Sequence, residues 1–124
     1  MTNKLAHVML RVGDPERVIE FYKDAFGWER KRTVENDTFT LYFVGPPNQQ
    51  AEIELTHNHG EDESYEKARG FGHIAVRTEK NQSLQEAYDK AVDAGGQNYR
   101  PPSECPGNYA FVKDPEGFEV EIIA

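Results

Sequence analysis

Two stretches of this chain decide its fold: Leu5-Ala6-His7-Val8-Met9-Leu10-Arg11-Val12 and Phe71-Gly72-His73-Ile74-Ala75-Val76-Arg77-Thr78. Both are strand-like. When residues 5–56 are laid over residues 71–123, the same order of elements appears, with the same short sequence words at the same places. We interpret the chain as an internal duplication, in which each repeat is too small to bury its sheet face alone.

A helix and three further strands follow in each repeat. The first helix is predicted to begin with Asp14 as N-cap and Pro15 at its first position, and to end at Gly27. The second helix is predicted to end at Gly95, and its apolar stripe consists of Leu84, Ala87, Tyr88, Ala91 and Val92. The predicted strands are residues 28–34, 38–44 and 51–56, then 97–101, 108–113 and 117–123.

The predicted fold class is therefore α+β, with two tandem β-α-β-β-β modules that form a curved mixed sheet. We expect a single domain over residues 1–124, which is long enough to bury a core. Module one covers about 4–56, the linker 57–70 and module two about 71–124.

Bulk properties exclude several classes of partner. The chain has 14 basic and 22 acidic residues, and its net charge of −8 disfavours binding to a nucleic-acid backbone or an anionic membrane. No apolar run approaches the roughly eighteen residues that a membrane span needs. Cys105 is the only cysteine, so an intramolecular disulfide is excluded and the residue is interpreted as a loop thiol. We expect a cytoplasmic protein with no nucleic-acid or membrane partner.

One histidine and one glutamate recur in both repeats. His7 precedes Glu54 by 54 − 7 = 47 residues, and His73 precedes Glu121 by 121 − 73 = 48 residues. Each acid lies in an otherwise apolar, strand-like run. Imidazole and carboxylate both suit a divalent first-row ion, and two of each leave positions for water or substrate. The duplication therefore predicts a two-fold symmetric, catalytic type of metal site.

Alternatives remain for the ligands at this point. Strand alternation places Glu54 and Glu121 opposite the most apolar row of their strands, but Glu52 and Glu119 share that face and could be the ligands instead. Taken singly, each candidate could be an ordinary core or surface residue. Two further histidines, His57 and His59, have no counterpart in the second repeat and are interpreted as exposed loop residues.

The chain resembles the glyoxalase I (lactoylglutathione lyase) family of the vicinal oxygen chelate superfamily over essentially its full length. The words that carry the resemblance are Ile53-Glu54-Leu55-Thr56-His57-Asn58, Arg69-Gly70-Phe71-Gly72-His73-Ile74 and Ala110-Phe111-Val112-Lys113-Asp114-Pro115-Glu116-Gly117-Phe118. The resemblance implies that the modules pair as in the glyoxalase/bleomycin-resistance fold. It also implies a homodimer with its metal sites at the subunit interface.

In this resemblance the metal ligands are His7, Glu54, His73 and Glu121, so that Glu54 is selected over Glu52 and Glu121 over Glu119. One divalent ion is expected per site, nickel or zinc, with cobalt possible. The implied reaction isomerises the hemithioacetal of methylglyoxal and glutathione to S-lactoylglutathione, which detoxifies methylglyoxal. Glu121 is the expected principal base and Glu54 its symmetric partner.

The resemblance also assigns glutathione binding, as co-substrate, to Arg11, Asn58 and Arg69. Residues 101–109 contain Glu104 in a loop where many relatives have lysine, so another low-molecular-weight thiol is an alternative to glutathione. Two other functions are kept open. The chain could be another metal-dependent enzyme of the superfamily (an epimerase, dioxygenase or thiol transferase) or a member that binds a small molecule without catalysis.

Overall fold

The computed structural model describes residues 1–124 and contains the β-α-β-β-β order twice. The first module comprises β1 (Val8–Arg11), α1 (Pro15–Phe26), β2 (Glu29–Glu35), β3 (Phe39–Gly45) and β4 (Ile53–Asn58). The second comprises β5 (His73–Arg77), α2 (Leu84–Asp93), β6 (Gln97–Arg100), β7 (Tyr109–Lys113) and β8 (Glu119–Ile123). A short 3₁₀ turn, Pro102–Glu104, lies between β6 and β7 and was not predicted. The predicted order and type of the helices and strands are confirmed.

Each module folds as a four-stranded mixed sheet. The strand orders are β1-β4-β3-β2 and β5-β8-β7-β6, so the first and last strands of each module are neighbours. These neighbours pair in parallel, and the other pairs are antiparallel. Met9 lies beside Glu54 in one parallel pair, and Ala75 lies beside Glu121 in the other. The two repeats therefore share the same register around the predicted acids.

Local sequence signals set the ends of the helices. The side chain of Asp14 caps α1 by accepting a hydrogen bond of 3.3 Å from the backbone N–H of Arg17, and Pro15 opens the helix. Gly27 ends α1 with a φ of 73°, a left-handed conformation that glycine adopts without steric cost. Ser83 caps α2, which ends at Asp93 before Gly95. None of the helices is both long and apolar enough to cross a membrane.

One cluster of buried apolar side chains contains residues from both modules. The two helices contribute Val18, Phe21 and Tyr22 from α1 and Ala87 and Ala91 from α2, and the helices pack against each other. The sheets contribute the apolar side chains of the faces directed at the helices. The opposite face of each sheet is left for polar and partly exposed residues, as strand alternation predicts.

Buried polar contacts join the modules at the turn before β8. The carboxylate of Glu116 accepts hydrogen bonds from the backbone N–H of Gly13, at 2.9 and 3.1 Å, and from that of Asp14 at 2.7 Å. The Tyr22 hydroxyl donates to Asp114 at 2.9 Å. Burial raises the pKa of Tyr22 well above its usual value, and the neighbouring Asp114 carboxylate adds to the effect. We call the contacts of Asp114 and Glu116 with the first module the module clamp.

Candidate metal centre

The predicted ligands form two pairs on the sheet faces that turn away from the helices. In the first pair, Nε2 of His7 lies 2.7 Å from Oε2 of Glu54. In the second, Nε2 of His73 lies 3.3 Å from Oε1 of Glu121. The glutamates are mostly covered, with 13% and 21% of their side chains exposed, whereas the histidines are more open. We call these pairs the first and second half-sites.

Strand register explains how each pair forms. His7 and Met9 point to the same face of β1, and Met9 lies beside Glu54, so the acid sits next to the imidazole just before β1 begins. In the second module Ala75 takes the place of Met9 beside Glu121. The same register in both modules therefore produces the same contact twice.

The alternative acids have different surroundings. Oε1 of Glu52 forms an ion pair of 2.9 Å with Nη2 of Arg32 and not with His7. In the second module Glu119 is the backbone neighbour of His73, yet the imidazole contacts Glu121. The geometry thus places Glu54 and Glu121, rather than Glu52 and Glu119, against the histidines.

Each imidazole packs against a phenylalanine ring, and an arginine lies over that ring. The sequence did not lead us to predict these residues. His7 meets the ring of Phe43 edge-on, with centroids 5.3 Å apart, and the Arg32 guanidinium lies 3.6 Å from the centre of that ring. In the second half-site, His73 meets Phe111 at 5.1 Å and Arg100 lies 5.8 Å from its centre. These residues occupy equivalent positions in the two repeats, because Arg100 follows Arg32 and Phe111 follows Phe43 by the same 68 residues. That equal separation is the sequence signal that could have identified them.

The two half-sites do not meet within one chain. No group of three or more His, Cys, Asp or Glu side chains is close enough to hold a metal ion. Each half-site belongs to a different four-stranded sheet. A cleft of about 1000 Å³ between the modules, lined in part by Trp28, Ile53 and Ile74, contains neither half-site. Each half-site offers two donors of the type that a divalent first-row ion prefers, so the donor chemistry fits a metal. Two donors are too few for such an ion, so both half-sites are needed to hold it.

The residues assigned to thiol binding lie in two places. Arg11 at the end of β1 and Asn58 at the end of β4 share the sheet face of the first half-site. Arg69 is exposed in the linker, four residues before His73. The Asn58 amide donates to the Glu61 carboxylate at 3.2 Å. Hydrogen bonds from Tyr65 and then Asn58 lower the pKa of Glu61, and the charge of Arg11 contributes.

The interpretation of the additional histidines needs a correction. His57 lies in β4 rather than in a loop, and its Nε2 is 3.1 Å from Oδ1 of Asp62. His59 is exposed after the strand, as expected, and its Nε2 lies 2.8 Å from the Thr40 hydroxyl. The strand continues past its last apolar residue because β3 supplies partners for Thr56, His57 and Asn58.

Comparison with known proteins now adds to this geometry. Residues 4–122 match the family model of the Glyoxalase/Bleomycin resistance protein/Dioxygenase superfamily. The chain belongs to this superfamily. A probable lactoylglutathione lyase from Synechocystis sp. is 40% identical to it over 96% of this chain and 93% of that protein. The lactoylglutathione lyase of Escherichia coli O157:H7 is also 40% identical, over 97% of this chain and 91% of that protein.

Solved structures of the superfamily agree with the fold. The trypanothione-dependent glyoxalase I of Leishmania major superposes with a TM-score of 0.82 and 32% identity, covering 98% of this chain and 86% of that one. The fosfomycin resistance protein FosX of Listeria monocytogenes reaches a TM-score of 0.74 at 19% identity, which shows a shared fold alone. The predicted family and the predicted pairing of β-α-β-β-β modules are confirmed.

Proposed function

We propose that this chain is a metal-dependent lactoylglutathione lyase, which isomerises the hemithioacetal of methylglyoxal and a thiol to the lactoyl thioester. The observation that carries the proposal is the duplicated His–Glu half-site, held in the same register in both modules. Relatives that are 40% identical over nearly the whole chain carry the name of this activity.

The ion would be held by His7, Glu54, His73 and Glu121. Neutral imidazole nitrogen and carboxylate oxygen accept nickel, zinc and cobalt alike, so the donor set is compatible with all three. When bound, a divalent ion acts as a Lewis acid that stabilises the negative charge on the substrate oxygens. The protein supplies the orientation: Phe43 and Phe111 pack edge-on against the two imidazoles.

The complete site would form between two copies of the chain. One copy provides its first half-site and the other copy its second, which gives a homodimer with two equivalent sites. This arrangement accounts for two separate pairs on open sheet faces, neither of which offers enough donors alone. The side chain of Met9 in β1, which remains exposed on the face of the first half-site, would be covered in the same assembly.

The proton transfer belongs to the glutamates. The carboxylate of Glu121 takes the proton from the carbon that bears the thiol, and the electron pair of that C–H bond enters an enediolate. The same carboxyl group then returns the proton to the neighbouring carbon, so the reaction consumes no oxidant or reductant. Glu54 is the symmetric partner in the other half-site. Partial burial of both acids limits the access of water to this step.

Thiol binding would use Arg11, Asn58 and Arg69. Arginine can bind a carboxylate with two parallel hydrogen bonds, which suits a peptide thiol such as glutathione. Glu61 and Glu104 add negative charge to the linker and to the loop before β7. These acids disfavour an anionic thiol, so another low-molecular-weight thiol stays the alternative to glutathione.

The deciding experiment combines metal analysis with an activity assay. The purified protein is stripped with a chelator, reloaded with Ni²⁺, Zn²⁺ or Co²⁺, and mixed with methylglyoxal and glutathione while the absorbance of the thioester is followed. We expect about one ion per half-site pair and turnover that depends on it. Glu121→Gln should lose turnover and still bind S-substituted glutathione. The absence of thioester with every ion would overturn the proposal, and retained turnover in Glu121→Gln would refute Glu121 as the base.

A further inference from the structure

The two half-sites differ in how their carboxylates are held. Both oxygens of Glu54 have a partner: Oε2 lies 2.7 Å from His7, and Oε1 accepts a hydrogen bond of 3.1 Å from the Thr56 hydroxyl. In the second half-site the 3.3 Å contact with His73 involves only Oε1 of Glu121. Both oxygens of the Glu54 carboxylate therefore have a partner, whereas only one oxygen of the Glu121 carboxylate does.

The difference originates at one position of the repeat. Thr56 follows Glu54 by two residues on the same face of β4, and Ile123 follows Glu121 by two residues on the same face of β8. The register confirms the equivalence, because Arg11 lies beside Thr56 and Arg77 lies beside Ile123. Thr56 is buried, whereas Ile123 is partly exposed and has no hydroxyl to donate.

A hydroxyl in this place restricts what its glutamate can do. To take a proton from carbon, a carboxylate must turn one oxygen towards the substrate, and Glu54 can do so only by breaking a contact with Thr56 or His7. A side-chain hydrogen bond of this kind changes an equilibrium by about 2- to 12-fold. Glu121 has no such bond to break, so its free oxygen can move.

We propose that Thr56 is a positioning residue that fixes Glu54 as a permanent metal ligand, while Ile123 leaves Glu121 free to move and act as base. This proposal rests on the proposed function, because it concerns the division of roles between the two acids. The hydroxyl of Thr56 contacts the Glu54 carboxylate. It acts through Glu54.

The test exchanges the two positions. Thr56→Val removes the hydroxyl at nearly constant volume, Ile123→Thr adds one to the second half-site, and Thr56→Ser restores a hydroxyl as the matched control. The first measurement is binding of Co²⁺ to the metal-free protein, followed by its visible absorbance. We expect Thr56→Val to weaken Co²⁺ binding about 2- to 12-fold, Ile123→Thr to tighten it by a similar factor, and Thr56→Ser to retain native affinity.

The second measurement compares kcat after Glu54→Gln with kcat after Glu121→Gln, each made in the native and in the Thr56→Val background. In the native background, Glu121→Gln should lower kcat more than Glu54→Gln does. In the Thr56→Val background, the kcat values of these two glutamine variants should differ by a smaller factor. Ile123→Thr should lower kcat about 2- to 12-fold with little change in KM. A purely structural role for Thr56 would lower the melting temperature and leave the ratio unchanged, which would overturn the proposal.

The two measurements also separate this proposal from the proposed function. If the native protein has no lyase activity, the Co²⁺ titrations still decide whether Thr56 positions Glu54. If the native protein is active but the variants at positions 56 and 123 change neither the Co²⁺ affinity nor the ratio of the two kcat values, only the role of Thr56 is refuted. Should Thr56→Val fail to fold, Ile123→Thr on the other sheet decides alone: unchanged Co²⁺ affinity and kcat would refute the proposal.

Discussion

Replacing Glu116 by Gln should destabilise the protein by about 2–3 kcal/mol. The Glu116 carboxylate accepts hydrogen bonds from two backbone N–H groups, those of Gly13 and Asp14, and it lies at the N-terminus of α1. A hydrogen bond to a charged group contributes about 1.5–3 kcal/mol, and a negative charge at a helix N-terminus adds about 0.3–1 kcal/mol.

Gln keeps one acceptor oxygen and turns an NH₂ group towards a backbone donor, so about one of the two bonds is lost and the other is weakened. Reduced repulsion with the nearby Asp114 carboxylate offsets part of this loss. The remaining cost gives the range of about 2–3 kcal/mol.

The assay is urea unfolding of metal-free protein followed by circular dichroism, because bound metal would add its own stabilisation. With a typical urea dependence of about 1–3 kcal/mol per molar, the midpoint should fall by roughly 0.7–3 M at an unchanged slope. Glu66→Gln, in the exposed part of the linker, is the matched control and should change stability by less than about 0.5 kcal/mol. If Glu116→Gln behaves like that control, the module clamp contributes no appreciable stability and the reasoning is wrong.

Three further outcomes follow from the structure. Burial raises the pKa of Asp114 above its usual 3.8, so the carboxyl group holds a proton more tightly in the folded than in the unfolded protein. The unfolding free energy of the native protein, relative to that of Asp114→Asn, should therefore rise as the pH falls towards 3.8. This difference should be lost as the pH rises through the folded pKa. Glu61→Ala frees the Asn58 amide and removes a carboxylate, and should lower KM for an anionic thiol about 2- to 5-fold at unchanged kcat. Gly13→Ala would place a Cβ 2.4 Å from the carbonyl oxygen of Glu63, and should cost about 2–4 kcal/mol in urea unfolding.

Each of these has its own control. A flat stability difference between pH 7 and 3.8 would mean that burial does not govern the Asp114 carboxyl. An unchanged KM in steady-state kinetics of Glu61→Ala would remove this acid from the thiol site. Gly70→Ala, whose added Cβ meets no atom within 4 Å, should leave the urea midpoint unchanged; an equal loss in both glycine variants would contradict a specific clash at Gly13.

Short-range signals made the elements of the fold and the ends of α1 predictable, whereas long-range pairing set the ends of the strands. Asp14, Pro15 and Gly27 mark the limits of α1 correctly because capping and left-handed turns depend on a few neighbouring residues. The first strand was predicted over 5–12, but β1 is limited to Val8–Arg11 by the residues of β4 that pair with it. His57 was misjudged for the same reason, since its partners in β3 cannot be seen in the local pattern.

The His–Glu pairs of the candidate site were predictable where the duplication repeats them. The matched spacing of His7–Glu54 and His73–Glu121 pointed to pairs that are indeed in contact. Contacts without a repeated partner were invisible. The Glu116 side chain reaches Gly13 across 103 residues of sequence, and the word Asp114-Pro115-Glu116-Gly117 indicates only a turn. Thr56 was hidden for the opposite reason, because its role lies in a departure from the repeat.

Two backbone amides of the module clamp report on motion between the two modules. The N–H groups of Gly13 and Asp14 belong to the first module, but the acceptor that holds them belongs to the second. Their exchange with deuterium therefore requires the Glu116 contact between the modules to open, whereas exchange within α1 requires only that the helix opens. The difference between these two exchange rates measures how independently the duplicated halves move, without any substitution in the chain.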